Sequence, residues 1–229
     1  MTSDTNAGTA VALDATLTIT EIYKSVQGES TWAGLPCIFV RLTGCNLRCT
    51  WCDTTYSFHE GSAQSLNQVM QAVSGFSAQL VEITGGEPLL QKNVYPLMHA
   101  LHAAGKKVLL ETSGSIRLNQ VPGFVHIILD MKAPGSGEDK KNRYENIEML
   151  KSSDDLKIVV ANHEDFKFAE DLIRKYKVDA LLQNPVIVQP VFGELNLAEA
   201  GEWIKNSPLN LRLGMQLHKY IYEPSLRAV

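Results

Sequence analysis

The feature that most constrains the fold is a repeating order along the chain: an apolar run of strand length, a short polar group, then a stretch with helical spacing. Apolar runs rich in Ile, Leu and Val fall at 38–42, 80–84, 108–110, 125–129, 156–160, 186–188 and 211–213. Ser65 is placed to cap a helix through Val69 and Val73. Leu90, Val94, Leu97 and Leu101 mark a second helix that stops near Gly105, and 164–176 reads as a third. Strands alternating with helices in this way build a parallel sheet with crossover helices. The 229 residues suit one α/β unit. Small polar residues at 1–15 read as a loose tail ahead of a single domain over 16–229. The stretch 134–142, rich in glycine and charge, reads as a mobile loop.

The polar groups come just after the strands. They are a cysteine-rich loop, Gly85-Gly86-Glu87, Thr112-Ser113-Gly114, Asp130-Met131-Lys132, Gln189-Pro190 and Gln216-Leu217-His218-Lys219. In parallel α/β folds, ligands bind at the carboxyl ends of the strands. Six such ends aimed at one place describe a single active site.

Three of the four cysteines lie close together, as Cys45-x3-Cys49-x2-Cys52. Three thiolates on one short loop can hold three irons of a 4Fe–4S cluster, where the usual set is four cysteines. One iron is then open to a substrate or cofactor. A structural zinc site is the rival, with Cys37 as its fourth ligand. Cys37 sits in an apolar run, where a free cysteine behaves as a small hydrophobe. Disulfides are a third possibility.

Bulk properties exclude several classes. Net charge is −4, with no basic block to track nucleic-acid phosphates. No apolar run reaches membrane-spanning length. The first residues lack the basic start and apolar core of a signal peptide, so a reducing cytoplasm is expected.

The cysteine triplet with Trp51 before its last member resembles the radical S-adenosylmethionine superfamily. Thr84-Gly85-Gly86-Glu87-Pro88 resembles that superfamily's second motif. A finer resemblance rests on Tyr23-Lys-Ser-Val-Gln-Gly-Glu29, Ala33-Gly-Leu-Pro36, Arg41-Leu-Thr-Gly-Cys-Asn46, Cys52-Asp-Thr54 and Gln216-Leu-His-Lys-Tyr220. These segments are similar to the 7-carboxy-7-deazaguanine synthase family, from about Glu21 onward. The resemblance implies a partial, modified (β/α)6 TIM-like barrel acting as a homodimer. It also implies an external electron donor such as flavodoxin.

The implied reaction turns 6-carboxy-5,6,7,8-tetrahydropterin into 7-carboxy-7-deazaguanine with loss of ammonia, in queuosine and 7-deazapurine biosynthesis. A radical derived from the cofactor would take hydrogen from C6, the ring would contract, and the hydrogen would return. Carried over by position, Cys45, Cys49 and Cys52 hold the cluster and Thr54 meets Mg2+. Magnesium wants oxygen ligands, and the neighbouring Asp53 reads instead as a brace for loop amides. Gly85, Gly86 and Glu87 meet the amino group of S-adenosylmethionine. Ser113, Asp130, Met131, Lys132 and Gln189 complete its site. Val26, Gln27, Gly28, Thr84, His218 and Pro224 meet the pterin. The Gln27 amide offers a donor and an acceptor to a heterocycle edge. Arg41 suits the substrate carboxylate through two parallel hydrogen bonds. Activating enzymes for glycyl-radical proteins share the cysteine triplet, but would not need Gln27, Arg41 or the Gln-Leu-His-Lys segment. A zinc-stabilised binding module would bring Cys37 to the other three cysteines.

Overall fold

Side chains alternate between the two faces of a strand, and that alternation organises this molecule. The computed structural model describes residues 14–229, so all of the expected tail except Asp14 and Ala15 lies outside the described residues. The strands are β1 Thr16–Val26, β2 Pro36–Leu42, β3 Ser62–Ser65, β4 Leu80–Gly85, β5 Lys107–Thr112, β6 His126–Lys132, β7 Asp155–Val160, β8 Val186–Pro190 and β9 Leu211–Leu213. They form one sheet in the order β3-β1-β2-β4-β5-β6-β7-β8-β9. From β2 through β9 the neighbours run parallel. β1 runs antiparallel to both β2 and β3.

One face of the parallel strands carries Val40, Ile83, Leu110, Leu129, Ile158 and Val188, all in the main core. Helices α1 Leu66–Ser74, α2 Val94–Ala103 and α3 His163–Tyr176 bury their apolar sides in that same core. α1 begins where expected: Ser65 accepts from the Gln68 amide, and the Gln68 side chain accepts from the Ser65 amide. This reciprocal cap satisfies two amides that the first turn leaves free. α3 starts at Asn162, whose side chain accepts from Glu164 and Asp165. Acidic residues in its first turn and basic ones in its last complement the helix dipole. Helices α4 Val178–Leu181, α5 Leu197–Asn206 and α6 His218–Ile221 complete the set.

The β5–β6 link has no helix, and the β6–β7 link carries only 3-10 turns. These are the places where the regular (β/α) alternation is modified. Two of those turns overturn an expectation. The stretch 134–142 is not a free loop but folds into two 3-10 turns, with Ser136 fully buried. The Gly135 amide donates to Asp165, and the Thr50 amide and hydroxyl donate to the carbonyls of Ser136 and Gly135. Hydrogen bonds that composition does not show tie it to α3 and to the cysteine loop.

The inner face of the sheet is layered. At the amino ends of the parallel strands, Cys37, Leu80, Leu109 and Ile128 pack with Trp32 and Phe39 into a small apolar plug. Two residues further along the strands come Glu82, Glu111, Asp130 and Lys157, and beyond them the cavity.

Candidate active site

A cavity of about 460 Å³ opens at the carboxyl ends of the strands, within the usual size of a small-molecule site. Cys45, Cys49, Cys52 and Thr54 line it from the loop after β2. Gly85, Gly86, Ser113, Asp130, Lys132 and Gln189 line it from later strand ends. Val26, Gln27, Gly28, Arg41, Thr84 and His218 complete the walls.

The cysteine loop is fixed from both sides. The Glu87 amide donates to the Gly44 carbonyl, and the Gly86 amide to the Leu42 carbonyl. A Cβ on Gly85 would collide with the Leu42 backbone, and one on Gly86 with the Gly44 carbonyl and Cys45. Gly85 also has φ of +146°, which favours glycine. The pair therefore permits a backbone contact with the cysteine loop. On the other side the Arg48 amide donates to Glu138 at 2.6 Å. Burial raises the Cys45 thiol, and raises Cys49 to about 11.

The cysteines fit a cluster. Among the described residues, no three His, Cys, Asp or Glu side chains are grouped to hold one metal ion. Each cysteine of a cluster ligates its own iron, so the three need not converge as zinc ligands do. Cys37 is fully buried in the plug, paired with Leu80, whereas the cysteine loop leaves β2 after Leu42, opposite Gly85. Five residues of strand at ~3.3 Å each separate Cys37 from that end by roughly 16 Å.

Arg41 is held rather than free. Its Nε donates to Glu21 at 2.7 Å and its Nη2 to the Tyr23 hydroxyl at 2.9 Å. Tyr56 also donates to Glu21. Burial raises the Tyr23 hydroxyl to about 12.

Lys157, 2% exposed, was not foreseen as a site residue. It bonds Glu29 at 3.0 Å and Asp130 at 3.4 Å, and makes a shorter contact with Glu111. Thr84 donates to Glu111, and Gln189 to Glu29. Burial pushes Glu29 up, but Lys157, His218 and the Gln189 hydrogen bond outweigh it and lower it to about 2. Burial likewise disfavours the Lys157 ammonium, yet the carboxylates beside it raise it well above its usual range. Glu82 is pushed up to about 8 by burial and by Glu111. The signal for this layer was present in the sequence: single charged residues interrupting apolar strands at alternating positions, as in Leu-Val-Glu-Ile and Leu-Lys-Ile-Val.

Several expectations need correction. Met131 points away from the cavity into the main core, because alternation in β6 turns Asp130 and Lys132 inward and Met131 outward. Glu87 lies off the cavity wall: its carbonyl accepts from the Leu90 amide, and its fully buried side chain accepts from Leu89, Thr112 and Ser113, so it braces the ends of β4 and β5 while Gly85 and Gly86 line the cavity. The Gln27 side chain does not face a ligand with both ends: its oxygen accepts from the Glu29 and Ser30 amides, and its nitrogen donates to Glu82. Pro224 is exposed and lies off the cavity wall, which Val229 joins instead. Asp53 accepts from the side chains of Gln216 and Lys219, tying the last helix to the cysteine loop rather than bracing loop amides.

The sheet, the open-ended cavity and the cysteine loop define a radical S-adenosylmethionine protein, and the superfamily's model matches residues 39–134. Such proteins carry a 4Fe–4S cluster and S-adenosylmethionine. The 7-carboxy-7-deazaguanine synthase of Koribacter versatilis is 42% identical over 224 residues, covering 92% of this chain and 99% of that protein. That of Chlorobaculum tepidum is 41% identical over 222 residues, covering 96% and 100%. The chain belongs to the 7-carboxy-7-deazaguanine synthase family. In fold it is similar to QueE from Escherichia coli, with a TM-score of 0.74 at 24% identity over 88% of this chain and 94% of that one. No described helix is long and apolar enough to cross a membrane.

Proposed function

We propose that this chain converts 6-carboxy-5,6,7,8-tetrahydropterin to 7-carboxy-7-deazaguanine with release of ammonia. The observation that carries the reading is a single cavity lined by the cysteine triplet at one side and by Arg41, Thr84 and His218 at another. When bound, the cluster and S-adenosylmethionine would supply the one-electron chemistry that opens the reaction at a substrate C–H bond.

The chain's own residues position the reactants. Cys45, Cys49 and Cys52 would hold the cluster. The backbone at Gly85 and Gly86, with Ser113, Asp130, Lys132 and Gln189, would hold the cofactor. The 26–28 segment lines the pterin's side of the cavity, together with Thr84 and His218. Arg41 presents its outer nitrogens to the substrate carboxylate, because Glu21 and Tyr23 fix the guanidinium from behind. Thr54, on the cavity wall, would offer its hydroxyl oxygen to Mg2+, a hard cation that would help to hold the substrate's carboxylate.

A homodimer is part of the reading. Exposed Tyr220, Ile221, Tyr222 and Leu226 support a covered surface near the last helix. An external one-electron donor such as flavodoxin and a cytoplasmic setting complete it.

The test is anaerobic turnover. Protein reconstituted with iron and sulfide receives reductant, Mg2+, S-adenosylmethionine and the carboxytetrahydropterin, and mass spectrometry follows the product. Formation of the deazaguanine is expected. Cleavage of S-adenosylmethionine without that product would overturn the substrate assignment.

A further inference from the structure

The floor of the cavity holds more carboxyls than cations. Glu29, Glu82, Glu111 and Asp130 line it together with two ammoniums, Lys157 and Lys132. Lys157 bonds Glu29, Glu111 and Asp130, and Lys132 bonds Asp130 at 3.1 Å. Glu82 is the fourth carboxyl, and among the described residues it has no ion-pair partner. It is 2% exposed and accepts a hydrogen bond from a neutral group, the Gln27 amide, at 3.0 Å. A buried carboxylate without a cation is costly, and such a group takes up a proton instead.

Its surroundings agree on every side. Cys37 of β2 and Tyr23 of β1 lie close enough to feel its charge, and burial keeps both protonated at neutral pH. Glu111 of β5 and Glu29, in the turn after β1, repel a charge there, and Lys157 of β7 attracts it from beyond ion-pair distance. The Gln27 amide has its oxygen committed to the Glu29 and Ser30 amides. Its nitrogen therefore must find an acceptor, and Glu82 is that acceptor.

We propose that Glu82 is a positioning residue that keeps its proton at neutral pH and, as an uncharged carboxyl, fixes the Gln27 amide and the 27–30 turn beneath the substrate. Ionised, it would compete with Glu29 and Glu111 for Lys157 and loosen both. The role deepens the proposed function, and its kinetic consequence rests on that reading.

Glu82→Gln supplies a permanently neutral side chain of similar shape. In the infrared difference spectrum of anaerobic holoprotein at about pH 7, wild type minus variant, a protonated-carboxyl stretch is expected. The melting temperature of wild type relative to the variant should fall as pH rises from about 4.5 to about 8. In that window the folded state holds a proton that the unfolded state has released. In turnover, wild-type kcat/KM should decline about tenfold per pH unit above about 8, and the variant should lack that limb. Glu82→Gln should keep kcat/KM within a few-fold of wild type at pH 7, against a loss of about 10- to 100-fold for Glu82→Leu, which leaves the Gln27 nitrogen without its acceptor.

An absent carboxyl stretch, or a melting difference that is flat with pH, would overturn the proposal. So would a folded Glu82→Gln protein without turnover at pH 7, since an ionised carboxylate would then be required. The infrared and melting measurements need no turnover. Wild-type protein that made no product would thus fail the functional reading separately, with those two arms still deciding the role of Glu82.

Discussion

Lys157→Met tests the ionic layer beneath the cavity. The side chain is 2% exposed and holds Glu29 at 3.0 Å and Asp130 at 3.4 Å, together with Glu111. Methionine fills similar volume but leaves three carboxyls without their shared cation. Removing one partner from a buried ion pair costs about 3–5 kcal/mol. The direction at Glu29 agrees: burial raises it, and Lys157 is the foremost of the groups that outweigh burial and bring it to about 2 from an ordinary 4.5. For a chain of this length a cost of about 3–5 kcal/mol lowers the melting temperature by roughly 6–20 °C. The sign with pH follows from the lowered Glu29. Its contribution is fully present above about 4.5 and is lost as pH falls toward about 2. The gap between wild type and variant should therefore be widest above about pH 5 and narrow below about 4.5. Thermal unfolding of both proteins at one scan rate, from about pH 3.5 to 8, reads it out. A variant melting within about 2 °C of wild type at pH 7, or a gap independent of pH, would refute the reasoning.

Three further outcomes follow from local geometry. Gly86→Ala drives a methyl group into the Gly44 carbonyl and Cys45, so iron and sulfide bound per chain after reconstitution should fall well below wild type. Arg41→Lys loses the planar fork that Glu21 and Tyr23 hold in place. Steady-state kinetics should show KM for the carboxylated pterin rising about 10- to 100-fold, the size of a lost charged hydrogen bond. Ser65→Ala removes the cap of α1, costing about 1 kcal/mol, and a melting scan should show a loss of roughly 2–4 °C with cluster content unchanged.

The parallel sheet was legible because strand-length apolar runs stood apart and their polar sequels were unusual. All seven expected strands are strands, and 211–213 has the expected ends. β1 escaped because Thr-Leu-Thr-Ile-Thr-Glu-Ile mixes polar and apolar residues and lies next to the polar start of the chain. β3 has only the small polar run Ser-Ala-Gln-Ser, and its place comes from pairing with β1. α5 went unrecognised although Asn196 caps it. The second expected helix begins at Val94, because Pro88, Leu89 and Leu90 form a separate 3-10 turn.

At the site, the cysteines, the glycine pair and Arg41 were readable from short motifs. Met131 was misplaced because its motif crosses both faces of one strand. The roles of Glu87 and Gln27 depend on partners 25 and 55 residues away in sequence, which no local pattern exposes. Glu82, Glu111 and Lys157 were each visible as charges in or at the end of apolar strands, but only the register of four parallel strands brings them together.

The central claim is that three cysteines hold a cluster with one open iron in the cavity that also takes the substrate. Electron paramagnetic resonance of the reduced, anaerobically reconstituted protein tests it most directly, with and without S-adenosylmethionine. The account predicts a 4Fe–4S signal that shifts when S-adenosylmethionine is added and is lost in Cys49→Ala. A cluster signal that S-adenosylmethionine leaves unmoved, or a colourless protein loaded with zinc, would contradict it.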